Sequence, residues 1–117
     1  MLLESLIRFL FDSVSNLITT KKIADTLNTH GRKTTSPTVE SYLSALIDSY
    51  ILYRVNRFDV KGRDHVKSLE KYYCVDIGLR YHLLGSQAGG SSHVLENVIY
   101  LELLRRGYAV YVGKTYQ

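Results

Sequence analysis

The sequence predicts a mainly α fold with a small β-hairpin: an α+β winged helix-turn-helix, followed by a helical extension and a terminal strand. Three observations predict it. Apolar residues recur at three- and four-residue spacing over residues 2–14, 36–50 and 93–104. Two β-favouring runs, Tyr50–Phe58 and Glu70–Val75, flank the polar, Gly62-containing stretch DVKGRDHVKSL. A short helical segment, KKIADTL, stands just before the 36–50 helix, so the order becomes helix, short strand, helix, helix, hairpin. The length of 117 residues suits one domain or a small domain with an appendage, and 45% hydrophobic with 22% charged residues excludes a disordered tail.

The first helix covers Leu2 to Val14 with Leu3, Leu6, Ile7, Leu10 and Phe11 as its buried stripe. Glu4, Arg8 and Asp12 fall at helical spacing, and no basic segment or small-residue cleavage site accompanies them, so this is an amphipathic helix rather than a signal sequence. Ser15-Asn16 breaks it, and residues 16–19 form a short extended segment. Thr19 or Thr20 caps the second helix, whose inner face is Ile23, Ala24 and Leu27. Gly31 suits the left-handed turn after it. The third helix opens with Ser36 as cap and Pro37 as first residue. Val39, Leu43, Leu46, Ile47 and Tyr50 face inward, while Thr38, Ser41, Ala45 and Asp48 face outward.

After Asp76 the character changes. IGLRYHLLG forms a short helix ending at Gly85, and SQAGGSS is a linker by composition. HVLENVIYLELLRRGY is helical with Val94, Leu95, Val98, Ile99, Leu101 and Leu104 inward, and Gly107 stops it before a strand begins in AVYVGKTYQ. The expected division is a winged helix over 1–76, a short helix and linker over 77–92, and a helix and strand over 93–117 that start a further domain. The apolar face of 93–117 predicts a homodimer through that segment. A single cysteine, Cys74, excludes an internal disulfide and agrees with a cytoplasmic protein. No apolar run reaches the ~20 residues that cross a bilayer, so no membrane partner is expected.

KYYCVDIGLRYHLLG, a small spacer, and HVLENVIYLELLRRGYAVYVGK resemble a large prokaryotic family of AAA+-type P-loop ATPases, as does the Thr-Val-x-x-Tyr-Leu-x-x-Leu pattern from Thr38 to Leu46. The resemblance implies an ATPase domain before Met1, then the winged helix, then a restriction-endonuclease-like domain of which only the first helix and strand are present. It places Glu96 or Glu102 at that fold's helix glutamate. The chain itself contains no G-x-x-x-x-G-K-[ST] loop, and one carboxylate does not hold a hydrolytic Mg²⁺, so no enzyme activity and no cofactor are expected within it.

The candidate chemistry is contact with DNA. Ser36, Thr38, Ser41 and Tyr42 line the outer side of the third helix, with hydroxyls suited to phosphates or base edges. Arg32 and Lys33 precede that helix, Lys21 and Lys22 begin the second, and Lys61, Arg63, His65 and Lys67 stud the wing. Against sequence-specific readout, the third helix has no Arg, Lys, Asn or Gln and carries Glu40 and Asp48. Residues 1–76 hold eleven Lys/Arg against nine Asp/Glu, so the expected contact is of low specificity. A spacer or protein-docking role is the alternative. His30, His65, His82, His93, Cys74 and Asp76 show no metal-ligand spacing, and Cys74 reads as a small core residue. The ten tyrosines fit half-buried strands better than base stacking.

Overall fold

The computed structural model describes residues 2–56, 70–85 and 91–112. Within them the chain is an α+β domain with five helices and a three-stranded antiparallel sheet. Helix α1 spans Leu2–Asp12 and buries Leu6, Leu10 and Phe11, the stripe its spacing predicts. It ends two residues earlier than expected, although Val14 beyond it is fully buried. Strand β1 (Leu17–Ile18) precedes α2 (Thr20–Thr29), which Thr19 caps by accepting from the Lys22 N–H at 3.1 Å. Gly31 follows with φ +81°, the left-handed conformation the turn requires.

Helix α3 spans Ser36–Asp48, and its cap is Thr35, not Ser36. Thr35 has extended backbone and Pro37 still lies in the first turn, where its missing N–H costs nothing. The other end departs further from expectation. Tyr50 belongs neither to the helix stripe nor to a strand; it has φ +59° and is 77% exposed. The reason is a Schellman closure: the Ile51 N–H donates to Leu46 O at 3.0 Å and the Tyr50 N–H to Ile47 O at 3.1 Å. That closure puts Tyr50 where glycine usually sits and delays β2 to Leu52–Val55.

β3 (Glu70–Cys74) is the central strand, between β1 and β2, with Tyr53 opposite Tyr73 and Leu17 opposite Lys71. Pleating sorts its residues. Leu52, Tyr72 and Cys74 join α1, α2 and α3 in the main core, while Tyr53, Val55 and Tyr73 face the other way. The short helix α4 (Ile77–Leu84) packs on α1, and its buried Arg80 donates from Nε to Phe11 O at 2.7 Å. The expected wing loop, 59–69, lies outside the described residues.

Helix α5 (Ser91–Arg105) covers the second sheet face. Its orientation corrects the sequence reading in part: Leu101 and Leu104 pack inward as expected, but Leu95, Val98 and Ile99 are 60%, 46% and 51% exposed, and the most deeply buried residues are Asn97 and Tyr100. The cause is a pair of backbone groups. β1 reaches only Glu70 and Lys71, so Cys74 at the end of β3 has no strand neighbour on that side. Asn97 supplies one, accepting from the Cys74 N–H at 2.8 Å and donating to its carbonyl at 3.0 Å. Leaving such groups unsatisfied costs about 1–3 kcal/mol each, enough to override an apolar stripe. Tyr100 then stacks on Tyr73, with centroids 4.2 Å apart. Of the expected terminal strand, residues 113–117 lie outside the described residues, and Val112 bridges to the sheet, its N–H donating to Asn56 O at 3.1 Å.

Candidate nucleic-acid interface

One end of α2 lies against the first half of α3 and the other against the link that leads into it. At one end the Thr20 hydroxyl donates to Glu40 Oε2 at 3.2 Å. At the other, Asn28 grips the backbone of Thr34, accepting from its N–H at 2.9 Å and donating to its carbonyl at 3.0 Å. This double grip shapes the link that carries Arg32 and Lys33, and both side chains are exposed. An open concavity lies beside them, lined by Asn28, Lys33, Thr34, Thr35 and Thr38.

Lys21 and Lys22 are exposed in the first turn of α2. Lys21 stands 3.7 Å from Asp25, but both side chains are mostly in solvent, so the pair neutralises little. Lys22, Arg32 and Lys33 form no ion pair among the described residues. Thr38 and Ser41 are exposed as expected, and Ser36 is half-buried. Two of the hydroxyls are already engaged: Ser41 donates back to Pro37 O at 3.2 Å, and Thr38 accepts from the Thr35 hydroxyl at 3.1 Å. Tyr42 is a correction: it is half-buried and packs against the main core, because it falls on the flank of the Val39–Leu43–Leu46 stripe. Lys61, Arg63, His65 and Lys67 lie outside the described residues.

The sequence reading missed a charge cluster directly beneath α3. Arg54 on β2 is 2.8 Å from Glu40 and 2.9 Å from Glu70, and its guanidinium sits over the Tyr72 ring at 5.6 Å. Burial alone would lower the Arg54 pKa, but the hydrogen bond to Glu40 and the charges of Tyr72 and Glu70 raise it above its ordinary value. Burial raises Glu70, with Arg54 pulling the other way, and burial pushes the Tyr72 hydroxyl up to about 12. The available signal was diagonal: Arg54 opposite Tyr72 puts Glu70 one pair away on the same face.

The remaining candidates have structural partners. Glu96 accepts from the Tyr73 hydroxyl at 2.9 Å and pairs with Lys71 at 3.2 Å. Glu102 is clamped by Arg105 and Arg106 at 2.6 and 2.9 Å, which draws its carboxyl down to about 2. Cys74 is fully buried, and burial pushes its thiol up to about 12. No group of three His, Cys, Asp or Glu among the described residues is arranged to hold a metal ion. No helix among them is long and apolar enough to cross a membrane.

Over 113 residues, 97% of the chain, it is 39% identical to an uncharacterized protein of Haemophilus influenzae, of which that stretch is 28%. Over 99 residues, 85% of the chain, it is 32% identical to an uncharacterized protein of Methanocaldococcus jannaschii, of which that stretch is 22%. The chain thus spans about a quarter of the length of these relatives. No solved structure matches it. Residues 1–89, which contain α1 to α4 and the whole sheet, match a family described as a domain of unknown function, DUF8612, and the chain belongs to that family.

Proposed function

We propose that this chain is a non-catalytic DNA-contacting module of winged helix-turn-helix type, with α3 as the recognition helix and β2–β3 as the base of the wing. The observation that carries the reading is the set of four exposed cations, Lys21, Lys22, Arg32 and Lys33, around the first half of α3, while Arg54 beneath it is spent on Glu40 and Glu70. Contact is of low specificity. The exposed residues of α3 are Pro37, Thr38, Ser41, Ser44, Ala45, Asp48, none of which makes a bidentate donor contact to a base edge. The resemblance to AAA+-type ATPases, together with relatives about four times as long, supports a module within a larger cytoplasmic ATPase that also carries a nuclease-like domain.

Fluorescence anisotropy with a generic 20-base-pair duplex tests this. Binding is expected at about 50 mM salt, falling steeply as salt rises, and Arg32→Glu with Lys33→Glu is expected to weaken it about tenfold or more. An affinity indifferent to salt, or no binding at all, rejects the reading.

A second reading is favoured by the C-terminal layer. Leu95, Val98, Ile99, Tyr108 and Tyr111 are five of the nine large hydrophobic side chains exposed among the described residues. They support a protein-docking role with homodimerisation through this segment. Light scattering at high concentration checks it, and a strict monomer counts against it.

A further inference from the structure

Charge is distributed unevenly along α3. The start of α2, with Lys21 and Lys22, meets the first half of α3 through Thr20 and Glu40, and the link that carries Arg32 and Lys33 leads into its first turn. The one acidic residue in that half, Glu40, is paired with Arg54 at 2.8 Å. Among the described residues the second half carries no cation, and its last residue, Asp48, is exposed there without an ion pair. Thirteen helical residues span roughly 20 Å, about twice the Debye length at physiological ionic strength.

That separation discriminates between two ways of meeting a polyanion. A recognition helix laid along a groove brings its whole exposed face near phosphates, and an unpaired Asp48 would then sit in the strongest negative potential. A helix presented by its first turn keeps Asp48 two screening lengths away and places all four cations, with the positive end of the helix dipole, toward the backbone. The hydroxyl-rich first turn, Thr35, Ser36 and Thr38, and the adjoining concavity with Lys33 are then the surface in contact.

We infer that a nucleic-acid duplex meets α3 end-on, at its N-terminal half, and that the sugar-phosphate backbone rather than the base edges is what this surface takes. The inference rests on the DNA-contacting reading and adds the docking direction to it.

The test uses the whole 117-residue chain and a generic 20-base-pair duplex at low salt, comparing Thr38→Asp, Ser44→Asp and Asp48→Asn. Thr38→Asp is expected to weaken binding about tenfold and to lower the salt slope, while Ser44→Asp and Asp48→Asn stay within about twofold of the parent. An acid in the first turn favours the helix, so Thr38→Asp keeps or raises thermal stability and its loss of binding is not a loss of fold. If Ser44→Asp weakens binding as much as Thr38→Asp, or Asp48→Asn strengthens it fivefold or more, α3 lies along the groove and the end-on inference fails while the DNA reading stands. If the parent chain binds no duplex, both fail together.

Discussion

The two faces of the sheet are held by different means. Against the first, α1, α2 and α3 pack a continuous apolar core that includes Leu6, Leu10, Ile23, Leu43, Leu52 and Tyr72. Against the second, α5 is held by a small cluster of Val55, Tyr73, Tyr100 and Val112 and by polar contacts from consecutive turns. His93 Nδ1 is 2.7 Å from Ser15 Oγ, Glu96 meets Tyr73 and Lys71, and Asn97 holds Cys74. An apolar core is non-directional and tolerates small shifts, whereas such polar contacts demand one register. The second layer is therefore specified by a few side chains and the first by many.

The largest expected effect lies in the first layer. Leu43→Ala should cost about 2–5 kcal/mol in chemical denaturation, because Leu43 is fully buried and its cavity cannot refill from solvent. Next comes Asn97→Ala, expected to cost about 1–3 kcal/mol and to speed amide exchange in α5 more than in α1. Leu95→Ala, on the exposed side of the same helix, should stay within about 0.5 kcal/mol of the parent. Equal costs for Asn97→Ala and Leu95→Ala would mean that α5 turns its apolar stripe inward after all.

The smallest effect separates the layers by pH. Burial raises the Glu70 pKa above its ordinary 4.5, so between its unfolded and folded values the folded chain holds a proton that the unfolded chain releases. Its contribution is present below the unfolded value and lost as pH rises through the folded one. Glu102 on α5 is drawn down to about 2 by Arg105 and Arg106, so its contribution is present above the unfolded value and lost as pH falls through the folded one. Stability curves of Glu70→Gln and Glu102→Gln should thus depart from the parent in opposite directions across the acidic range. Departures of the same sign would break the contrast.

The first layer was legible in the sequence because its helices bury the residues that periodicity selects: Leu6, Leu10 and Phe11, then Ile23, Ala24 and Leu27, then Val39, Leu43 and Leu46. β1 and the cap at Thr19 were legible for local reasons of the same kind. Asn97 was not, since its role depends on two backbone groups more than twenty residues away, and periodicity counts it as a polar interruption. Tyr50 was misread because a left-handed position after a helix leaves no mark in an apolar stripe. Among the site residues, exposure of Lys21, Lys22, Arg32, Lys33, Thr38 and Ser41 follows from their type and place. The engagement of Glu40 with Arg54 does not, because it joins a helix to a strand whose register had first to be known.

The amide of Asn97 also closes an edge. A central strand with a two-residue neighbour leaves hydrogen-bonding groups facing outward, which is how sheets recruit strands from other molecules and grow into aggregates. Tyr72 O is taken by the Ser15 N–H at 2.9 Å, and both backbone groups of Cys74 by Asn97. At the far side of the sheet, Asn56 O already receives Val112. Ser15 and Asn97 thus do the work of a missing strand along that margin of β3, and Val112 takes one carbonyl at the other.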